Sequence, residues 1–261
     1  KNEKIKIVTF TGSTEIGLKI NSLQTRHFQK KILELGGINY AIINDKKNLQ
    51  SIIQEILIRK IKAAGQACSS INKVFVNISI KKDFEAIVRR ESQKIICGDV
   101  ASKDQPNFGP VISTKHFQFL VKLMKKLKNK NKLIAESNNL NNCDNLFPLK
   151  IFQVGFNDNI FDDIETFGPI LGVSYYSNEK KLFNKISLSK YSLVCYFFSS
   201  SKRFINLTKK LNFGSIGINT TKIQSPASPT GGNNLSGIGR EGGIWGFEEF
   251  LSTVNYVNKT K

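Results

Sequence analysis

The chain has 261 residues, 40% of them apolar, enough for one large domain or two small ones with a buried core. Its 39 basic and 20 acidic residues leave a formal charge of +19, which excludes an acidic disordered tail. No apolar run reaches the ~18 residues of a membrane helix, and Lys1-Asn-Glu-Lys-Ile-Lys6 lacks the apolar stretch of a signal peptide, so a soluble, cytoplasmic protein with no membrane partner is expected.

The opening Lys1, in place of Met, reads as a processed product or as the later part of a longer protein. Only six of the basic residues are Arg, and the Lys are spread over every segment beside frequent Asn and Ile. Bidentate Arg is what reads bases and phosphates, so the charge is assigned to solvated faces and AT-rich coding bias rather than to a nucleic-acid partner. Cys68, Cys97, Cys143 and Cys195 form no Cys-x-x-Cys pair and have no His at ligand spacing, which indicates neither a disulfide framework nor a metal site. Cys97 and Cys195 sit in apolar runs and read as inert core residues. Cys68 lies in the small, polar Ala64-Gly-Gln-Ala-Cys-Ser-Ser70, where a substrate can approach a thiol.

In chain order, residues 5–10 read as a strand, 11–14 as a turn and 15–30 as a helix. Residues 32–35 and 40–43 are strand-like, and 49–62 carry apolar residues at the spacing of an amphipathic helix. Further strands are predicted at 74–76, 151–154, 170–175, 193–198 and 215–219, and helices at 82–92, 114–128, 179–188 and 201–211. Strands separated by helix-length connections imply an α/β fold with a mostly parallel sheet. Two stretches interrupt the rhythm: 125–145, a Lys- and Asn-rich helix end running into a loop, and 220–246, irregular and rich in Gly. His27 and His116 are single and read as surface residues.

Gly237-Ile-Gly-Arg-Glu-Gly242 has the three-glycine spacing of a dinucleotide loop, but no strand leads into it and no helix leaves it, so it is set aside. Thr11-Gly-Ser-Thr-Glu-Ile-Gly17 follows a strand and opens a helix, where free N–H groups and the Ser13 hydroxyl can meet an anion, although an N-cap alone explains the Ser. Glu34 stands in the apolar Ile32-Leu-Glu-Leu35 just before Gly36-Gly37. Outward-facing it is bland; buried, its raised pKa suits a general base. Glu165-Thr-Phe-Gly-Pro169 places a carboxylate and a ring before a strand.

Together, Phe10-Thr-Gly-Ser13 with Gly17, Glu34-Leu-Gly-Gly37, Gly65-Gln-Ala-Cys68, Gly109-Pro110, Glu165-Thr-Phe-Gly-Pro169, Gly217-Ile-Asn219 and Ser236-Gly-Ile-Gly-Arg-Glu-Gly-Gly243 with Glu249-Phe250 resemble, in order and spacing, the aldehyde dehydrogenase superfamily. Their wording is similar to that of its succinate-semialdehyde dehydrogenases. The resemblance implies a catalytic domain with a mostly parallel sheet and a remnant of a Rossmann-like coenzyme domain. Residues 1–35 would be that remnant, 36–235 the catalytic domain, and 236–261 a segment returning to the coenzyme domain or a neighbouring subunit. It implies NAD or NADP as cofactor, an aldehyde as substrate and a homo-oligomer in the full-length form. Cys68 would be the nucleophile and Glu34 the base for hydrolysis. Gly12, Ser13 and Gly17 would meet the pyrophosphate, with Glu165 on the nicotinamide ribose and Phe167 beside the ring. Asn219 and the glycines from Gly231 to Gly243 would shape the floor.

The departures have consequences. Such enzymes are nearly twice this length, and their N-terminal half carries the Asn that completes the oxyanion hole and the Lys that grips the adenosine ribose. Where the semialdehyde enzymes carry a substrate-binding Arg and Ser, this chain has Lys62 and Gln224, the latter beside Ser225. Ser70 stands where some carry a second Cys. The expectation is an aldehyde dehydrogenase inactive as this polypeptide alone; the alternative is a truncated, non-catalytic fragment acting as a binding or oligomerising module.

Overall fold

The computed structural model describes residue 2, residues 4–23 and residues 27–259. Strand β1 (Ile7–Thr11) leads through Ser13 into helix α1 (Thr14–Ser22), and β2 (Lys30–Glu34) returns parallel to β1. Then come β3 (Asn39–Ile43), α2 (Leu49–Ile61), β4 (Ile71–Asn77), α3 (Lys81–Gln93), the short β5 (Ile96–Cys97) and α4 (Thr114–Lys128). They are followed by β6 (Lys132–Glu136), β7 (Asn138–Asn139), β8 (Lys150–Gln153), α5 (Ile160–Asp163), β9 (Ile170–Tyr176) and α6 (Glu179–Ser187). The remainder is β10 (Tyr191–Ser192), β11 (Val194–Phe198), α7 (Lys202–Leu207), β12 (Ser215–Ile218), β13 (Asn233–Asn234), β14 (Gly237–Ile238) and α8 (Gly243–Glu248).

Seven strands form the main sheet in the order β12-β11-β3-β4-β9-β8-β6. All neighbours are parallel except β6, which runs antiparallel to β8. The inner strands are rich in apolar residues because both faces are covered, as parallel sheets require, and polar side chains within them, Asn72, Lys73 and Ser174, are buried. On one face α2, α3 and α4 pack Ile53, Leu57, Phe84 and Leu120 against Val74, Ile151 and Val173. On the other, α6 and α7 seat Leu182, Ile186 and Phe204 on Ile42, Phe75 and Phe197. Cys97 and Cys195 are fully buried.

A second sheet holds β1, β2 and β14, with β2 in the middle. Gly237 pairs with Glu34 and Ile238 with Leu33, antiparallel. A side chain at Gly237 would lie 1.9 Å from the Leu33 carbonyl oxygen, and its φ of +135° suits glycine. The glycine-rich segment is thereby laid against β2.

Several boundaries differ from expectation. Helix α1 stops at Ser22, and β2 begins at Lys30 rather than at 32. Residues 125–145 are not simply a helix end and loop: Ile134 and Ala135 are buried where β6 closes the edge of the main sheet. The flanking Lys and Asn masked an apolar core of three residues, too short for periodicity to register. A six-residue helix, α8, does leave the glycine motif, and β14 lies inside it. Helix α7 ends at Leu207 and tightens into a 3₁₀ turn at Thr208–Lys210.

Candidate active site

The loops before the central parallel strands β3, β4 and β9 meet at the N-terminal end of those strands, and three sequence-predicted side chains come with them. Gly36-Gly37, between β2 and β3, is the junction. The Gly37 N–H donates to Glu165 Oε1 at 3.0 Å. A Cβ at Gly36 would lie 2.3 Å from Glu165 Oε2 and 3.2 Å from Thr14 Oγ1, and one at Gly37 would lie 2.6 Å from the Cys68 carbonyl oxygen. The paired glycines thus let α1, Glu165 and the Cys68 loop approach one backbone.

The Cys68 loop is held by groups that motif reading missed. Asn39 is fully buried at the start of β3; its Nδ2 donates to the carbonyls of Cys68 (2.6 Å) and Ser70 (2.8 Å), and its Oδ1 accepts the Val194 N–H (3.0 Å). Tyr196 Oη donates to the Ser69 carbonyl at 2.9 Å, and Arg59 donates to Ser69 Oγ. Upstream, Ala63 and Ala64 have φ of 51° and 54°, and Gln66 Oε1 accepts the Ile112 N–H at 2.8 Å. An Asn two residues after Gly36-Gly37, opening an otherwise apolar strand, is the one sequence signal that could have found this brace.

Cys68 is exposed, yet protein surrounds its sulfur closely enough to matter electrostatically. Its thiol pKa is pushed up by burial, then by the Glu165 and Glu34 carboxylates; the Ser69 N–H and the Arg59 guanidinium oppose the rise. Glu34 is 8% exposed, against the outward-facing reading, and its Oε1 has no hydrogen-bond partner. Burial, reinforced by Glu241 and opposed by Arg240, raises its pKa to about 8. Arg240 also staples the glycine-rich segment over Glu34, donating to the carbonyls of Gly232 (3.0 Å) and Gly239 (2.7 Å) and to Asn233 Oδ1 (2.7 Å). A Cβ at Gly231 would lie 2.7 Å from Glu34 Oε1.

Glu165 is raised by burial and held down by the Gly37 N–H and by Lys60. Lys60 is 1% exposed, donates to Thr166 Oγ1 at 3.2 Å, and is lowered by burial to about 7. Phe167 takes a left-handed φ of 41° and is 39% exposed. His116 is not a plain surface residue: half-buried, it bonds the Phe167 carbonyl at 2.7 Å and stacks on Phe119. His27, also half-buried, bonds the Ile5 carbonyl at 3.1 Å.

At the head of α1, Ser13 is the N-cap, accepting from the Ile16 N–H at 3.4 Å. Gly12 donates its N–H to the Glu34 carbonyl at 3.0 Å. Gly17 is buried against Leu35, where a Cβ would come within 2.3 Å. This end of α1 lies beside Gly36 and Glu165: any side chain at 36 would run into the Glu165 carboxylate and the Thr14 hydroxyl, so the helix N-terminus and the carboxylate flank one bare stretch of backbone, a donor set compatible with a dinucleotide.

Lys62 and Gln224 line one cavity of about 730 Å³ between α2 and the loop after β12. Ser225 is not among its lining residues; its backbone N–H bonds Ser228 Oγ in a turn at 3.1 Å. The Asn219 side chain does not join Glu34: it pairs with the Ser199 backbone, accepting from its N–H (2.9 Å) and donating to its carbonyl (3.2 Å). The loop following it reaches the cavity instead.

The chain matches the model of the aldehyde dehydrogenase family over residues 1–256. It belongs to the aldehyde dehydrogenase family. It is 30% identical over 260 residues to a lactaldehyde dehydrogenase of Methanococcus maripaludis, covering 98% of this chain and 54% of that protein. With the NADP(+) succinate-semialdehyde dehydrogenase GabD of Escherichia coli it shares 27% identity over 98% of this chain and 53% of that one. The crystal structure of the glyceraldehyde-3-phosphate dehydrogenase GapN of Methanocaldococcus jannaschii complexed with NADP superposes with a TM-score of 0.85 at 28% identity, over 95% of this chain and 53% of that one. This aldehyde dehydrogenase chain therefore spans about half the length of the curated relatives it matches, and its mixed α/β fold is that of the family.

Proposed function

We propose that the chain carries the cysteine-and-base half of an NAD(P)-dependent aldehyde dehydrogenase that oxidises an aldehyde to its carboxylic acid. The observation that carries this reading is the convergence of Cys68, Glu34 and Glu165 on Gly36-Gly37. The β1-β2-β14 sheet is assigned to the edge of the coenzyme-binding unit and the seven-stranded sheet to the catalytic domain. The exposed Trp245, Phe247, Phe250 and Val254 support subunit assembly in the full-length enzyme.

Cys68 attacks the aldehyde carbon as thiolate, forming a thiohemiacetal whose oxyanion the Cys68 N–H helps to hold. When bound, NAD(P)⁺ supplies a hydride acceptor; Glu165 would hold its nicotinamide ribose, Phe167 its ring, and Gly12, Ser13 and Gly17 its pyrophosphate. Glu34, ionised above pH 8 or so, takes a proton from the water that hydrolyses the resulting thioester, releasing acid and free thiol.

An activated ester isolates the steps that belong to this chain, because acylation of Cys68 by p-nitrophenyl acetate expels p-nitrophenolate and no hydride. The 261-residue polypeptide is expected to release a stoichiometric burst and then turn over slowly. Cys68→Ala should abolish the burst, while Glu34→Gln should keep it and accumulate acetyl-protein, read by mass spectrometry, with deacylation slowed ~100-fold or more. A burst that survives Cys68→Ala contradicts the assignment. Mixed with NAD⁺ or NADP⁺ and aldehydes, the same polypeptide is expected to form no NAD(P)H.

A further inference from the structure

Phe167 carries a bulky side chain at φ 41°, a conformation that persists only where its surroundings hold it. The residues before it are tied down: Glu165 Oε1 accepts the Gly37 N–H at 3.0 Å, and the Thr166 N–H donates to Asn72 Oδ1 at 3.1 Å. Phe167 itself is gripped through its carbonyl, by His116 Nε2 at 2.7 Å. A carbonyl oxygen has no proton to give, so Nε2 carries the hydrogen and donates. The imidazole is fixed for that task. The His116 backbone N–H donates to Ser113 Oγ at 3.2 Å in the first turn of α4, while the ring stacks on Phe119 with centroids 5.6 Å apart and meets the Phe167 ring at 6.2 Å and 76°.

The same stretch of chain grips the nucleophile loop. The Ile112 N–H donates to Gln66 Oε1 at 2.8 Å, and Gln66 Nε2 donates on to the Ala63 carbonyl at 2.9 Å. The two gripped loops touch each other, since a Cβ at Gly65 would meet the Gly168 carbonyl at 2.5 Å. Residues 112–116 thus clip the Cys68 loop at one end and the Phe167 loop at the other. We propose that His116 is a positioning residue: by donating to the Phe167 carbonyl it holds that strained residue, and with it the ring assigned to the nicotinamide, in register with the Cys68 loop. This rests on the assignment of Phe167 to the nicotinamide ring and adds the side chain that places it. His116 acts through Phe167 and is not a catalytic residue.

His116 and His27 are the only histidines of the chain, so heteronuclear NMR can read the ring nitrogens one by one, with His116→Gln supplying the assignment. At alkaline pH His116 is expected as the Nε2–H tautomer with a slowly exchanging proton; the Nδ1–H tautomer overturns the proposal. The positional consequence is read as protection of Cys68 from iodoacetamide by nicotinamide mononucleotide, which brings the ring, its ribose and one phosphate. His116→Phe keeps an aromatic ring against Phe119 and loses the donor, whereas His116→Gln keeps a donor and loses the ring. The half-protecting concentration is expected to rise about fivefold in His116→Phe and to stay within about twofold of wild type in His116→Gln. A packing role would reverse that order, and the reversed order, or equal protection of wild type and His116→Phe, overturns the proposal. Failure of the mononucleotide to protect even the wild-type chain would count against the nicotinamide assignment, and the tautomer would still decide whether His116 holds Phe167.

Discussion

Replacing Glu34 by Gln is expected to stabilise the folded chain above pH 8 and to leave it nearly unchanged at pH 5. The carboxyl has a folded pKa of about 8 against an ordinary 4.5. Between those values the folded state keeps a proton that the unfolded chain has released, so stability falls as pH rises through the window. The loss is ~1.4 kcal/mol per pH unit, a few kcal/mol in all as an upper bound. Gln imitates the protonated carboxyl, in shape and in lacking charge, and removes the decline. Lys60 works in the opposite sense: with its pKa lowered to about 7, it makes stability rise with pH from there towards 10.5, equally in both proteins. Urea denaturation of wild type and Glu34→Gln at pH 5 and at pH 8.5 checks the difference, expected to be ~2–4 kcal/mol at the higher pH. Equal stabilities at both would mean that Glu34 is not held in a desolvated pocket.

The second large effect is expected from Gly65→Ala. Gly65 has φ +76°, and a Cβ there would meet the Gly168 carbonyl carbon and oxygen at 2.5 Å. Left-handed strain of ~1–2 kcal/mol adds to overpacking of ~1–3 kcal/mol, and the displaced backbones are those bearing Cys68 and Phe167. A loss of about 2–5 kcal/mol in urea, with altered Cys68 labelling, is expected. Gly109→Ala is the control: its nearest contact is a Val100 methyl group at 3.2 Å, with no positive φ, and it should lose under ~1 kcal/mol.

The α/β pattern was legible because the buried parallel strands β3, β4, β9 and β11 are centred on apolar residues, as few as Val74-Phe75-Val76 in β4, and α4 has a clean 3.6 period behind its Ser113 cap. Strand β6 was not, since its Lys and Glu ends look like the surrounding loop, and β14 was not, since a two-residue glycine strand is defined by its partner β2 rather than by its own residues. In the site, the residues bearing motif chemistry were legible: Cys68, Glu34 and Glu165. The residues that hold them were not. Asn39, Tyr196 and His116 act through backbone carbonyls contributed by distant segments, which no local spacing records, and Arg240 acts through carbonyls of its own glycine-rich stretch, where a turn rather than a motif sets the contact. Asn219 was legible as a motif but not in its role, because its side chain turns to Ser199.

The most direct test of a shared pocket is the pH dependence of Cys68 alkylation by iodoacetamide in wild type and Glu34→Gln. Since the thiolate reacts and Glu34 is charged only above about pH 8, the two rate profiles should coincide below pH 6.5 and diverge above pH 8, with Glu34→Gln faster by ~2–5-fold. Profiles that superimpose at every pH, or a Cys68 that resists alkylation in the folded chain, would contradict the convergence of thiol and carboxyl on which the account stands.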